Sequence, residues 1–164
     1  MRPTIVLLAA LLAAGCGGSR HARPGAPPGF LLISDAGRQQ AARGSFCQQT
    51  DSMGLCGDTG PPIPSRTTIV HRGDTIRFEL VGATMKSAGG GPSATIESLP
   101  CRRRVRFVHL DPNDPSWRVD VPRGNYVVDL FSAHDHGDAS GTAGLTVSNG
   151  KRRIVRFTGR LAGC

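Results

Sequence analysis

Two histidines and an aspartate in the last third of the chain are the residues best suited to metal chemistry. They are His134, His136 and Asp138, in the segment AHDHGD. On an extended chain, side chains at positions i and i+2 point the same way, so the two imidazoles would project together. Imidazole pairs bind Cu or Zn, and Asp138 or His109 would complete the ligand shell. The same residues also fit an ordinary polar loop, which we favour, so a weakly bound Cu or Zn ion is the only cofactor considered.

Four arginines that lie close together in the sequence could bind anions. They are Arg102, Arg103, Arg104 and Arg106. A second basic group would join them if the two strands paired, as a disulfide between Cys101 and Cys164 implies. This group comprises Arg152, Arg153 and Arg156. Such a patch could bind an anionic lipid or an envelope polymer. The alternative is that the charges bind no ligand and only protect an exposed strand edge from aggregation.

The N-terminus combines Arg2, an apolar run over residues 5–14, and Cys16 directly after Gly15. The run is shorter than the roughly 20 residues that a membrane-spanning helix needs, but it fits the hydrophobic region of an export signal. This arrangement resembles the lipobox of bacterial lipoproteins. The resemblance implies that residues 1–15 are a signal peptide and that Cys16 is lipidated and becomes the first residue. An ordinary secretory signal with an incidental cysteine is the alternative.

Lipidation of Cys16 implies a location and a domain organisation. The protein would be exported and held by its lipid in the cell membrane or the outer membrane, facing the periplasm or the cell exterior, because two acyl chains anchor stably. Residues 16–29 are rich in Gly and Pro and are predicted to be a lipidated, flexible tether. Residues 30–164 then form one domain, which is a typical size.

The chain has five cysteines, and lipidation of Cys16 leaves an even number. An oxidising compartment favours two disulfides among the other four. Four cysteines allow three pairings, of which we favour Cys47–Cys56 and Cys101–Cys164. No C-x-x-C motif is present, so the sequence does not indicate a structural zinc site.

The charge of the chain restricts its partners. Lys and Arg number 20 against 12 Asp and Glu, for a formal net charge of +8. A basic exported domain is attracted to anionic lipid headgroups or envelope polymers. Nucleic acid is not expected as a partner, because the compartment lacks it and only 5% of residues are aromatic, too few to stack on bases. The identity of a protein partner is open.

From residue 67 onward, apolar and polar residues alternate with period two, and turn residues interrupt the pattern. Ile76, Phe78 and Leu80 share one face, whereas Arg77 and Glu79 share the other. We therefore predict an all-β fold, an immunoglobulin-like antiparallel β-sandwich of about seven or eight strands. A partly open β-barrel is the alternative. Residues 35–45 are expected to be a loop or a helical turn, and residues 48–55 a polar surface excursion.

Two segments, VHRGDTIRFEL and VPRGNYVVDLFSAHDHGDASGTAGLTVS, resemble the last strands of small bacterial lipoproteins with an immunoglobulin-like sandwich. In that family a Gly-Asp turn begins one strand and Pro-x-Gly-x-Tyr begins another. The segment FCQQTDSMGLCGDTGPPIP is similar to a Cys-loop-Cys-Pro segment of such proteins. The resemblance implies the fold and the location, and it brings no catalytic residues.

No catalytic motif is recognisable in the sequence, whether a nucleophile with a base or a phosphate-binding loop. We therefore expect a non-enzymatic, membrane-anchored envelope lipoprotein with a binding or structural role. Metal binding by the loop of His134 and His136 is the alternative function. The Arg-Gly-Asp tripeptide at residues 72–74 lies between two predicted strands, where a tight turn explains it.

Overall fold

The computed structural model describes residues 26–49, 53–60, 62–87 and 91–159. These residues form twelve strands and no helix, which confirms the predicted all-β class. The strands are β1 (Gly29–Ser34), β2 (Gly37–Gln40), β3 (Ala42–Gln49), β4 (Gly54–Gly57), β5 (Arg66–Val70), β6 (Thr75–Val81), β7 (Ser93–Ser98), β8 (Arg103–His109), β9 (Ser116–Arg118), β10 (Gly124–His134), β11 (Gly137–Val147) and β12 (Arg153–Arg156).

The strands form two sheets that stack as a sandwich. One sheet has the order β2-β1-β6-β9, and the other has the order β12-β5-β11-β10-β7-β8, with β3 paired to both β11 and β4. All pairings are antiparallel except the parallel one between β5 and β11. Among the described residues no strand pairing joins the two sheets, so the architecture is the predicted sandwich and not the partly open barrel.

Apolar side chains from both sheets fill the space between them. Phe30 and Phe78 of the smaller sheet, and Leu130 and Leu145 of the larger one, are at most 2% exposed. Burying a side chain of this size contributes about 1.5–3 kcal/mol. The alternation in β6 produces this arrangement, because Ile76, Phe78 and Leu80 face the core whereas the residues between them face solvent.

A tyrosine corner closes the turn before β10. The Tyr126 hydroxyl donates a hydrogen bond of 2.8 Å to the carbonyl oxygen of Pro122, and its ring is buried. Gly124 leaves room for the tyrosine, because a Cβ there would make a tight contact of 3.1 Å with the Tyr126 Oη. Such a corner is a hallmark of immunoglobulin-like sandwiches, and it gives the Pro-x-Gly-x-Tyr pattern its structural reason.

The structure has more strands than the seven or eight expected. Residues 35–45, expected as a loop or helical turn, contain β2 and the start of β3, and the excursion after Cys47 is part of the β3–β4 hairpin. The alternation pattern did not predict these strands, because hydrogen bonds stabilise them in place of alternating apolar side chains. Gln39 is buried on β2, where its Nε2 donates to the Arg66 carbonyl at 2.8 Å and its Oε1 accepts from Thr68.

One predicted disulfide is present in the described residues. Cys47 and Cys56 are directly opposite each other on β3 and β4, and they are bonded, with their Cα atoms 4.1 Å apart. Cys101 is also disulfide-bonded. Its predicted partner, Cys164, lies outside the described residues.

The predicted anchor lies outside the described residues as well. This applies to residues 1–15, to Cys16 and to the tether as far as residue 25. Over residues 26–159, as far as they are described, no helix is long and apolar enough to cross a membrane.

The sandwich has two ends that differ in their connection to the N-terminus. The chain enters at Gly29, which pairs with Val81 at the end of β6. The turn between β10 and β11 lies at the same end, because the loop after β6 forms a bridge with His134. We call this end the near pole. The opposite end, the far pole, carries the turns that follow β5 and β11, at residues 71–74 and 148–152.

Candidate anion-binding site

The structure divides the four arginines of the predicted patch. Arg102 lies in the turn before β8 with a φ of 50°, and its side chain is directed to two carboxylates. Its Nε donates to Glu97 at 2.6 Å, and its Nη2 donates to Asp129. Asp129 also accepts a hydrogen bond from Thr142. Because these carboxylates neutralise its charge, Arg102 stabilises the β7–β10 pair and does not offer a free cation.

The remaining three arginines lie on β8, an edge strand. Arg103 and Arg104 are exposed and form no ion pair with the described residues. Arg106 pairs with Asp120, with Nη2 and Oδ2 3.0 Å apart. Charge along an exposed edge discourages pairing with other chains, which accounts for Arg103 and Arg104 without a ligand.

The second basic group does not join the patch, so that expectation is wrong. β12 pairs with β5 and β8 pairs with β7, which places the two strands at opposite edges of the larger sheet. A disulfide at Cys101 does not require β8 and β12 to pair, because the chain after β12 turns back across the sheet. A Cβ at Gly159 would lie 2.8 Å from Leu99 Cδ1. The arginines that do not join the patch on β8 are Arg152, Arg153 and Arg156.

A different set of arginines converges in a cleft between β8 and the far-pole turns. The cleft has a volume of about 580 Å³. Residues that line it include Arg72, Arg106, Arg118, Trp117 and Asp120. We call this site the basic cleft, because three arginines face one carboxylate.

Backbone hydrogen bonds hold two sides of the basic cleft together. The Gly73 N–H donates to the Val119 carbonyl, and the Val119 N–H donates to the Asp74 carbonyl, each at 2.8 Å. Gly73 has a φ of 92°, which side-chain-bearing residues rarely adopt. Arg118 Nη2 lies 4.0 Å from the position that a Cβ would take there. The turn therefore brings Arg72 and Arg118 to the same cleft.

The aspartate of the Arg-Gly-Asp tripeptide is not available to a partner. Asp74 Oδ1 and Oδ2 each accept a hydrogen bond of 2.7 Å from the Arg152 guanidinium, and Oδ2 also accepts from the His71 N–H at 2.8 Å. The hydrogen bond from Arg152 lowers the pKa of Asp74 from 3.8 to about 2. The tripeptide is thus a structural turn, as expected, and Arg72 alone of its charged residues faces the cleft.

Two cations of the basic cleft have no ion-pair partner among the described residues. Asp120 binds Arg106, and it also accepts a hydrogen bond of 3.2 Å from Trp117 Nε1. Arg72 and Arg118 are exposed, and neither forms an ion pair with the described residues. A guanidinium offers a planar fork of donors that matches phosphate or carboxylate oxygens. Arg72 and Arg118 therefore give the cleft two guanidinium groups with the chemistry to bind an anion.

The predicted metal loop has a different geometry from the one expected. Asp135 and His136 form the two-residue turn between β10 and β11, so the two imidazoles do not extend from one strand. His134 is 6% exposed and faces the core, whereas His136 is exposed. Asp138 lies on β11, on the opposite face from His134. Residues 26–159, as described, contain no group of three His, Cys, Asp or Glu that could hold a metal.

Two buried polar atoms lie near this turn without a hydrogen-bond partner among the described residues, Gln48 Oε1 and His134 Nε2. Gln48 pairs with Gly137, which also pairs with His134, so the two side chains share a face. The other ring nitrogen of His134, Nδ1, lies 3.2 Å from the His136 N–H. Nδ1 accepts that hydrogen bond, so Nε2 is the ring nitrogen of His134 that has no partner among the described residues.

Sequence analysis identified Arg106 but missed Arg72 and Arg118. Both are single arginines in ordinary strand and turn patterns, and only the contact between the turn after β5 and β9 brings them together. Each is followed two residues later by an aspartate, Asp74 or Asp120, so the sequence predicts a local charge pair and gives no signal of a free cation. The chain matches no family model, no curated protein and no solved structure.

Proposed function

We propose that this chain is an exported, lipid-anchored envelope protein whose β-sandwich binds an anionic ligand in the basic cleft. The observation that carries the proposal is that Arg72 and Arg118 line the same cleft, both exposed and neither in an ion pair with the described residues. The proposal is of a binding function, not of catalysis. The anchor rests on the sequence, through Cys16 and the apolar run before it.

The chemistry of the basic cleft defines the ligand class. Arginine binds phosphate and carboxylate with two parallel hydrogen bonds, and these charge-assisted bonds are stronger than neutral ones. In the envelope, anionic lipid headgroups and anionic polymers present such groups. Asp120 orients Arg106 at one side of the cleft, which leaves Arg72 and Arg118 to contact the ligand.

The test measures binding of labelled inorganic polyphosphate to the purified full-length protein in a neutral detergent. The double variant Arg72→Gln/Arg118→Gln should bind about tenfold more weakly, because each lost charge-assisted contact is worth at least about 0.7 kcal/mol. The matched control is Arg43→Gln/Arg156→Gln. It removes the same charge from two exposed arginines outside the cleft.

The control should bind within about threefold of the unchanged protein, because screening weakens charges more than a Debye length away. Equal weakening of both double variants would show that binding follows net charge alone, which would refute the basic cleft as the site. Absence of binding by the unchanged protein would refute the anion-binding function itself.

A further inference from the structure

Charge is unevenly distributed between the two poles of the sandwich. The near pole is acidic, with Asp111, Asp135 and Asp138 around the β10–β11 turn and the start of the loop after β8. Two cations lie there as well. Lys86 is paired with Asp135 at 2.5 Å, and Arg43, whose Nη2 lies 4.0 Å from the Cβ position of Gly29, forms no ion pair with the described residues, so the three carboxylates still outnumber the cations. The far pole is basic. Its exposed cations include Arg72, Arg118, Arg123, Lys151, Arg152 and Arg153.

The carboxylates of the far pole do not cancel this charge. Asp74 and Asp35 both lie within ion-pair distance of a single cation, Arg152, at 2.7 and 4.0 Å. Asp120 is bound by Arg106. The remaining cations of the far pole form no ion pair with the described residues, so this end presents several positive charges around the basic cleft.

The chain enters the sandwich at the acidic end. A Cβ at Gly82, just after β6, would lie 3.7 Å from the Ala26 carbonyl oxygen and equally close to Pro28, which places the last residues before β1 at the near pole. β10 runs from the far pole to the near pole over 11 residues, a length of about 36 Å at about 3.3 Å per residue. The basic cleft therefore lies far from the point where the predicted tether begins.

These distances determine which end of the domain meets the membrane. The predicted tether of residues 16–29 has a typical reach of about 20 Å for a chain of its length and composition, which is shorter than the sandwich. A membrane's negative potential decays over a Debye length of about 8 Å. With the near pole held at the surface, the far pole lies outside that field. Inverting the domain would require the tether to extend to about 36 Å, well beyond its typical reach and about three quarters of the roughly 48 Å that 14 residues can span.

We propose that the anchored domain stands with its acidic near pole toward the membrane and its basic cleft facing away from it. The partner is then a polymer that carries repeated phosphate groups and lies beyond the membrane surface, and not the headgroups of the anchoring bilayer. Repeated charges fit the far pole, because unpaired cations continue outside the cleft. This inference rests on the proposed function and on the predicted lipid at Cys16.

The experiment uses the lipidated full-length protein reconstituted in two kinds of vesicle. One kind is phosphatidylcholine, and the other is phosphatidylcholine with about 30% phosphatidylglycerol, which supplies a negative surface. Labelled inorganic polyphosphate is the probe, and inorganic phosphate is the competitor. Polyphosphate should bind with affinities within about threefold in both kinds of vesicle, and Arg72→Gln/Arg118→Gln should weaken binding about tenfold in each.

Each other outcome contradicts a different part of the argument. Binding in phosphatidylcholine vesicles that disappears in phosphatidylglycerol vesicles would show that the cleft faces the lipid, which overturns the orientation while the anion site stands. Complete displacement by millimolar inorganic phosphate would overturn the polymeric partner. No binding in either kind of vesicle would overturn the proposed function itself.

Discussion

The guanidinium of Arg152 forms two hydrogen bonds of 2.7 Å with the carboxylate of Asp74 across the far pole. Arg152 follows β11 and Asp74 precedes β6, so the pair joins the two sheets. The Asp74 side chain is only 10% exposed, and a third hydrogen bond, from the His71 N–H, fixes it. The pair also holds the turn that carries Arg72, which links the stability of this pole to the geometry of the basic cleft.

Replacement of Asp74 should reveal a stabilisation that depends on pH. The folded-state pKa of about 2 lies below the ordinary 3.8, so the ionised form stabilises the fold above that range and the stabilisation is lost as the pH falls toward 2. Asp74→Asn should lower the free energy of unfolding by about 2 kcal/mol at pH 7. The difference in this free energy between the variant and the unchanged protein should narrow between about pH 4 and pH 2.

Urea unfolding of both proteins across this pH range checks the prediction. Asp35→Asn is the control, because Asp35 lies 4.0 Å from Arg152 with its side chain 80% exposed, and such pairs contribute little. A difference between Asp74→Asn and the unchanged protein that stays constant with pH would contradict the role given to the pair.

The tyrosine corner predicts coupling between two neighbouring positions. Tyr126→Phe should cost about 1 kcal/mol, because it removes the hydrogen bond to the Pro122 carbonyl. Gly124→Ala should cost more in the unchanged protein than in Tyr126→Phe, because the added Cβ would lie 3.1 Å from the hydroxyl oxygen that the Phe lacks. Chemical unfolding of both single variants and the double variant measures this coupling. Strictly additive costs would show that the hydroxyl does not select glycine.

Gly137 is required by its backbone conformation and by its surroundings. Its φ is 150°, and a Cβ there would lie 1.9 Å from the Cys47 carbonyl oxygen. Gly137→Ala should therefore lower the free energy of unfolding by at least about 2 kcal/mol. Gly54→Ala on the paired hairpin is a matched control, because nothing lies within 4 Å of its Cβ position. Similar unfolding midpoints for the two variants would contradict the structure of this hairpin.

The geometry of the histidine turn predicts that metal does not bind in stoichiometric amounts. His134 is buried and His136 is exposed, so they do not form a chelating pair. After incubation with Cu or Zn and dialysis without a chelator, elemental analysis of the purified protein should find well below one ion per chain. One tightly bound ion that is lost in His134→Ala would instead establish the alternative metal-binding function.

The predicted lipid anchor has a direct test. Cys16→Ala should move the protein from the detergent phase to the aqueous phase in detergent partitioning, because the two acyl chains that anchor it would be absent. The intact mass of the unchanged protein should show loss of residues 1–15 and addition of the lipid. An unchanged distribution of the variant between the phases would refute lipidation at this cysteine.

The sequence by itself determined the features that depend on neighbouring residues. Alternation such as that of Ile76, Phe78 and Leu80 predicts strands, because the side chains of a strand point to opposite faces with period two. The disulfide between Cys47 and Cys56 was also predictable, because the two residues are close in the chain. Strands β2 to β4 were not, because polar residues such as Gln39 are held by hydrogen bonds that alternation does not reveal.

Only the tertiary structure decided which arginines meet. Strand order is set by pairings between distant segments, and local periodicity carries no information about which edge a strand takes. For this reason β8 and β12 lie at opposite edges, and Arg102 is turned toward Asp129. The same long-range pairing brings Arg72 and Arg118 together in the basic cleft, because the turn after β5 hydrogen-bonds to the end of β9.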